Sequence, residues 1–162
     1  MVHPAFLAGG LQPPRVLYAH DEKASGTQGG TFTSGAWRVR TLNALVFSTI
    51  PGASLLADAI LLDPGTYHVR ANAPGLFCGL HQIRLFENVS GLPLGYGSSC
   101  FASDTAFGCT HSFLDTVITL AVAGEVILEH RCSVTRANDG FGPAPNFGGL
   151  EVFASMTIEQ LS

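Results

Sequence analysis

The stretch Arg136-Ala137-Asn138-Asp139-Gly140-Phe141-Gly142-Pro143-Ala144-Pro145-Asn146-Phe147 concentrates the side chains in this chain best suited to holding a ligand. It sets a guanidinium, two carboxamides and a carboxylate beside two phenyl rings on a Gly/Pro scaffold. That combination can hydrogen-bond sugar hydroxyls and stack on sugar faces, and binding residues tend to sit on loops held by a rigid framework. Arg136, Asn138, Asp139, Phe141, Asn146 and Phe147 are the candidate ligand-binding residues. The competing reading is that Phe141 and Phe147 cap the core or a subunit axis while the polar residues only make the turn.

Catalytic chemistry has no comparable signal. Gly-x-Ser-x-Gly, His-Glu-x-x-His and Gly-x-x-x-x-Gly-Lys are all missing from the sequence, which removes the common hydrolase, zinc-peptidase and phosphate-loop signatures. The six histidines are well separated, and none stands at a zinc-ligand spacing from another histidine or a cysteine. His130 falls on an apolar strand face and reads as a hydrogen-bonded core residue, while His68 and His111 read as surface or interface positions. Glu125 and Glu129 share a strand face, but nothing around them would split their pKa values into an acid and a base. The chain is therefore expected to be no enzyme and to carry no metal and no cofactor.

Cys78, Cys100, Cys109 and Cys132 are even in number without a Cys-x-x-Cys. Cys100 and Cys109 bracket a short Gly/Ser/Ala-rich loop that a disulfide could close. Cys132 reads as a small buried hydrophobe unless Cys78 faces it, and assembly in a reducing cytoplasm would leave all four as thiols. Asn88-Val89-Ser90 matches a glycosylation acceptor and Asp139-Gly140 a fragment of a calcium loop. The first lacks an export signal, and the second has too few oxygens.

Composition limits the partners. The chain has 162 residues, of which 12% are charged and 46% hydrophobic, with 19 glycines, 9 prolines and a net charge of -4. An ordinary soluble domain has about 25% charged residues. With Lys23 the only lysine and the arginines scattered, no basic stripe exists to hold a phosphate backbone, so nucleic-acid binding is not expected. The longest apolar runs fall far short of a bilayer span, so no membrane insertion is expected. The start, Met1-Val2-His3-Pro4-Ala5-Phe6-Leu7, lacks a basic segment followed by an apolar run, which points to a protein made and used without Sec export. So few charges on an apolar chain imply that part of the surface is covered by another copy.

The elements that must position these residues are strands. In Thr66 to Ala73 the apolar residues Tyr67, Val69, Ala71 and Ala73 alternate with polar ones, as a half-buried strand requires. Val126, Leu128, His130, Cys132 and Val134 share one face of a second strand, and Leu114, Ile118, Leu120 and Val122 share a face of a third. Ala123-Gly124 between those two reads as a hairpin turn. Leu150, Val152, Ala154, Met156 and Ile158 alternate with Glu151, Phe153, Ser155, Thr157 and Glu159 near the C-terminus. Further strands are read at 16–20, 37–43, 45–50, 59–62, 80–89 and 95–101. No window carries a helical period, so the domain is expected to be an all-β jelly-roll sandwich over residues 16–162, preceded by an arm over residues 1–15 rich in Gly and Pro. Phe86, Ile127 and Phe153 then fall on outward positions and are the candidate subunit-interface residues.

The run Lys23-Ala24-Ser25-Gly26-Thr27-Gln28-Gly29-Gly30-Thr31-Phe32-Thr33-Ser34-Gly35-Ala36-Trp37-Arg38-Val39-Arg40-Thr41-Leu42-Asn43 resembles the opening of C1q/TNF-like jelly-roll domains of tailed bacteriophages and prophages. The likeness continues through Gly65-Thr66-Tyr67-His68-Val69-Arg70-Ala71, Glu129-His130-Arg131-Cys132, Asn138-Asp139-Gly140-Phe141-Gly142 and Gly149-Leu150-Glu151-Val152-Phe153. What the resemblance implies is a homotrimeric jelly roll on the surface of a virion or phage-like particle, assembled in the host cytoplasm. Such a domain serves as the knob of a tail fibre or spike that attaches to a host surface polysaccharide. The short arm would dock on another virion protein and fits a head spike, a capsid decoration or a compact tail tip, including that of a gene transfer agent. The alternative expectation is a structural capsid decoration or tail component with no ligand.

Overall fold

The computed structural model describes residues 13–162, so most of the expected arm lies outside the described residues. Twelve strands form among them and no helix: β1 (Val16–Lys23), β2 (Arg38–Val39), β3 (Ala44–Ser48), β4 (Ser54–Leu56), β5 (Ala59–Leu62), β6 (Gly65–Leu76), β7 (Gly79–Glu87), β8 (Leu92–Tyr96), β9 (Cys100–Ala102), β10 (Cys109–Leu120), β11 (Gly124–Cys132) and β12 (Glu151–Gln160). They build two antiparallel sheets. One has the order β10-β6-β12-β1-β3; the other has the order β4-β5-β11-β7-β8, with β2 alongside β11 and β9 alongside β7.

Period-2 alternation places one face of each sheet in a shared core. Tyr67, Val69 and Ala73 of β6, Leu17 and Ala19 of β1 and Met156 and Ile158 of β12 meet Ile83 and Leu85 of β7 and Val126 and Leu128 of β11 across it. Each fully covered aliphatic side chain contributes roughly 1.5–3 kcal/mol relative to exposure, which makes the choice of inward face non-negotiable. Glu87 at the end of β7 ties a corner together. Its carboxylate accepts the backbone N–H groups of Val89 and Ser90 in the following turn and of Glu125 in β11.

Three expectations are corrected. Ala123-Gly124 does not close a hairpin: β10 is the edge strand of one sheet and β11 a central strand of the other. A turn of small residues serves a crossing between sheets as well as a hairpin, and only the pairing partners tell the two apart. Second, β6 does not stop at Ala73, the last residue of the stretch read as alternating, but continues through Pro74-Gly75 to Leu76 along β10. Pairing with β12 stops at Asn72, so Pro74 interrupts no ladder on that side. Third, β12 does not alternate strictly. Between His20↔Ser155 and Glu22↔Val152, two residues of β1 oppose three of β12. The bulge flips the phase, so Phe153 and Ala154 are consecutive and both buried.

That bulge changes the interface expectation. Phe153 is 5% exposed, its ring lying against Gly142 with the Lys23 ammonium 5.4 Å from its centroid. Ile127 does face outward from β11, yet it is also 5% exposed, at the bottom of a depression shared with Val39, Leu56 and Leu61. Phe86 is half-buried beneath the Arg84 guanidinium, 4.5 Å from the ring centroid. Two of the three residues thus are covered by their own chain and offer no surface to a neighbour.

Candidate functional site

The segments 29–32 and 136–142, a hundred residues apart, are laced together. Gly29 N–H donates to Gly142 O at 3.0 Å, Gly30 N–H to Asn138 O at 2.9 Å and Phe32 N–H to Arg136 O at 2.9 Å. The lacing explains the glycines at both ends. A Cβ on Gly140 would stand 2.7 Å from the Phe32 Cβ, and one on Gly29 would stand 2.7 Å from the Phe141 carbonyl carbon.

Within that frame the six loop residues do not converge. Arg136 grips Asp139 through Nε (2.6 Å) and Nη2 (2.9 Å), and this pairing holds the Asp139 carboxyl below its ordinary range. The Asn138 backbone adopts φ +68°, and its N–H donates to the Thr31 hydroxyl at 3.1 Å. Phe141 is part of the interior, with ring centroids 4.6 Å from Phe32 and the Arg40 guanidinium 4.0 Å over its face. Asn146 accepts from the Ser25 hydroxyl, at 3.1 Å, and Phe147 stands 92% exposed. The polar groups of this set are mostly engaged in making the turn.

Behind the loop runs a buried polar chain that the sequence did not disclose. His81 Nδ1 lies 2.9 Å from His130 Nε2, and His81 Nε2 lies 2.7 Å from the Thr110 hydroxyl. His130 Nδ1 has no partner. Burial holds His81 down at about 4 and His130 well below its ordinary value, with nearby Arg40 acting in the same direction on both. Both rings are neutral at pH 7, and His130 takes the hydrogen-bonded core place expected of it, while His81 also borders a groove on the outer face of the seven-stranded sheet.

The thiols of Cys78 and Cys132 are equally inert. Burial, reinforced by Cys132, pushes Cys78 up to about 12, and burial pushes Cys132 up to about 11, far from the range of a nucleophile. The expected Cys100–Cys109 disulfide does not form, and all four cysteines are free. Cys100 Sγ instead donates to His111 O at 3.1 Å, two residues further along β10 than Cys109. All four should therefore alkylate with iodoacetamide in denaturant without reductant; a mass showing two unmodified cysteines would restore the disulfide. Among the described residues no three His, Cys, Asp or Glu side chains are grouped to hold a metal ion.

A well-formed concave surface lies elsewhere, on the outer face of the seven-stranded sheet. It is a groove of about 530 Å³ whose lining includes Ser34, Trp37, Leu80, Gln82, Ser99, Arg131 and Ser133. Arg131 of β11 and Gln82 of β7 stand opposite one another, next to the pair Glu129 and Arg84. Arg84 donates to Glu129 at 2.6 Å, and its guanidinium is sandwiched between Trp37 (4.4 Å) and Phe86 (4.5 Å). Gln82 donates to Gly97 O at 2.8 Å. Outward alternation was legible on each strand, but the opposition of residues 82 and 131 depends on a register that sequence does not reveal.

No model of a known protein family matches the chain, and none of the curated proteins does. Solved structures do. The globular domain of zebrafish complement 1qA protein superposes with a TM-score of 0.58 at 14% identity, over 93% of this chain and 98% of that one. Murine APRIL gives 0.62 at 11%, over 92% and 100%, and Eiger TNF from S. frugiperda gives 0.61 at 10%, over 93% and 94%. With the two-sheet topology above, these likenesses define the chain as an all-β jelly roll of the C1q/TNF type. At such identities the likeness is one of fold.

Proposed function

We propose that this protein is a non-enzymatic homotrimeric knob on the surface of a phage or phage-like particle, attaching it to a host-surface glycan. The observation that carries the assembly is the outer face of the five-stranded sheet. Phe113 (61% exposed) and Val117 (58%) stand on β10 at one edge, and Phe47 (54%) stands on β3 at the other. Between them the face is polar or mixed, with His68 and Arg70 on β6 and Tyr18 and His20 on β1. Two separate apolar edges fit a head-to-tail contact in which one edge of each copy meets the other edge of the next, and such contacts close into rings. The resemblance to phage jelly-roll domains supports three copies and a particle-borne role. The absence of a catalytic constellation in the sequence supports binding over turnover.

Light scattering should therefore give about three times the 17.0 kDa chain mass at micromolar concentration. Phe113→Asp combined with Phe47→Asp should give the single-chain mass while remaining folded. A wild-type monomer would sink the assembly. For attachment, purified protein should be retained by host cells and by their extracted polysaccharide. The internal Arg136–Asp139 pairing favours the second reading, a structural decoration or tail component, and such a part would be retained by neither.

A further inference from the structure

We propose that the groove over Gln82 and Arg131 is the glycan seat and that its ligand is a carboxylated sugar; this rests on the attachment reading above. Arg131 is exposed and, among the described residues, makes no ion pair, because the carboxylate beside it on β11, Glu129, is held by Arg84. Glu125, the next carboxylate on the same face, is six residues along β11, roughly 20 Å away. On a chain of net charge -4, this leaves an uncompensated guanidinium at the wall of this groove. A planar fork of N–H donors matches a carboxylate better than any neutral hydroxyl.

The remaining lining suits a sugar ring. Trp37 offers an aromatic platform fixed from behind by the Arg84 stack, and Tyr96 lies 6.2 Å from it, centroid to centroid. With its Nε2 tied to Gly97 O, Gln82 keeps Oε1 as an acceptor, and Ser99 and Ser133 add hydroxyls. Leu80, 64% exposed, covers the far side with apolar surface for sugar C–H groups. A peptide fits less well: β7, which floors the groove, is paired on both sides here, to β11 and to β9, and has no free edge on which a peptide could add. A second copy of the chain is argued to occupy the opposite sheet.

Trp37 is the only tryptophan in the chain, so its fluorescence reports on the groove. Titration with a polyuronate hexamer should change that signal saturably, and a neutral dextran hexamer should bind at least about tenfold more weakly. Arg131→Ala should weaken the polyuronate by a similar factor without changing the melting temperature, and Arg131→Lys should fall between the two. Equal binding of both hexamers, an unchanged Kd in Arg131→Ala, or tighter binding of poly-glutamate than of polyuronate would each overturn the inference. If host cells retain the protein and its Arg131→Ala variant alike, the attachment reading survives and this seat does not. If they retain neither, the attachment reading itself fails.

Discussion

Acidification from pH 7.5 to 5 should destabilise the fold by about 2 kcal/mol through His81 alone, with His130 adding to it. His81 is held at about 4 in the fold, against 6.5 as an ordinary histidine. Between those values the unfolded chain binds a proton that the native chain refuses, so stability is full above pH 6.5 and falls as the pH drops towards 4. The first cause is burial, which disfavours the charged form of both rings. The geometry adds to it: the rings share one hydrogen bond of 2.9 Å between Nδ1 and Nε2, and protonating either adds a charge near the Arg40 guanidinium. His111 is lowered by burial and contributes with the same sign. Glu87, at about 2, loses its native advantage only below its ordinary 4.5, so it does not confuse this window. Melting temperatures at fixed protein concentration should fall between pH 7.5 and 5. The double variant His81→Leu/His130→Phe should lose most of that slope whatever its overall stability. Retention of the full slope would remove the pair as its cause.

Arg40→Ala should be the most damaging single substitution in the core, costing about 3–5 kcal/mol. Arg40 is 1% exposed and among the largest fully covered side chains. Its guanidinium donates to Phe141 O at 3.1 Å and to Pro74 O at 3.5 Å while lying on the Phe141 ring, so one side chain joins the 136–142 segment to β6. Burial lowers it to about 9, partly offset by Asp21, and it still carries its charge at neutral pH. Alanine leaves a cavity, two carbonyls without a donor and a bare ring face. Arg40→Met fills the space and removes a buried charge, so it should cost clearly less. For a chain of this size the alanine variant should melt roughly 6–20 °C lower. A shift within 2 °C, or methionine worse than alanine, would contradict this account.

The candidate site was only partly legible. The 136–147 loop stood out because Asn, Asp, Gly and Phe cluster there, but clustering along the chain does not distinguish a ligand surface from a turn. In the structure Arg136 and Asp139 satisfy each other and Phe141 enters the interior. The groove went unnoticed because Trp37, Gln82 and Arg131 come from three distant segments, each unremarkable alone. Phe153 was misplaced for a related reason: a single extra residue in β12 inverts the faces, and a bulge leaves no mark in composition.

By itself, the sequence determined that the chain is all-β, and it determined which faces of β6, β7, β10 and β11 turn inward, because period-2 alternation is a local property written residue by residue. Tertiary structure alone decided that β10 and β11 belong to different sheets, that His81 meets His130 and that Arg131 meets Gln82. Those outcomes depend on pairing and register between distant strands. A shift of one residue costs nothing locally, and it is excluded only when the whole core is assembled.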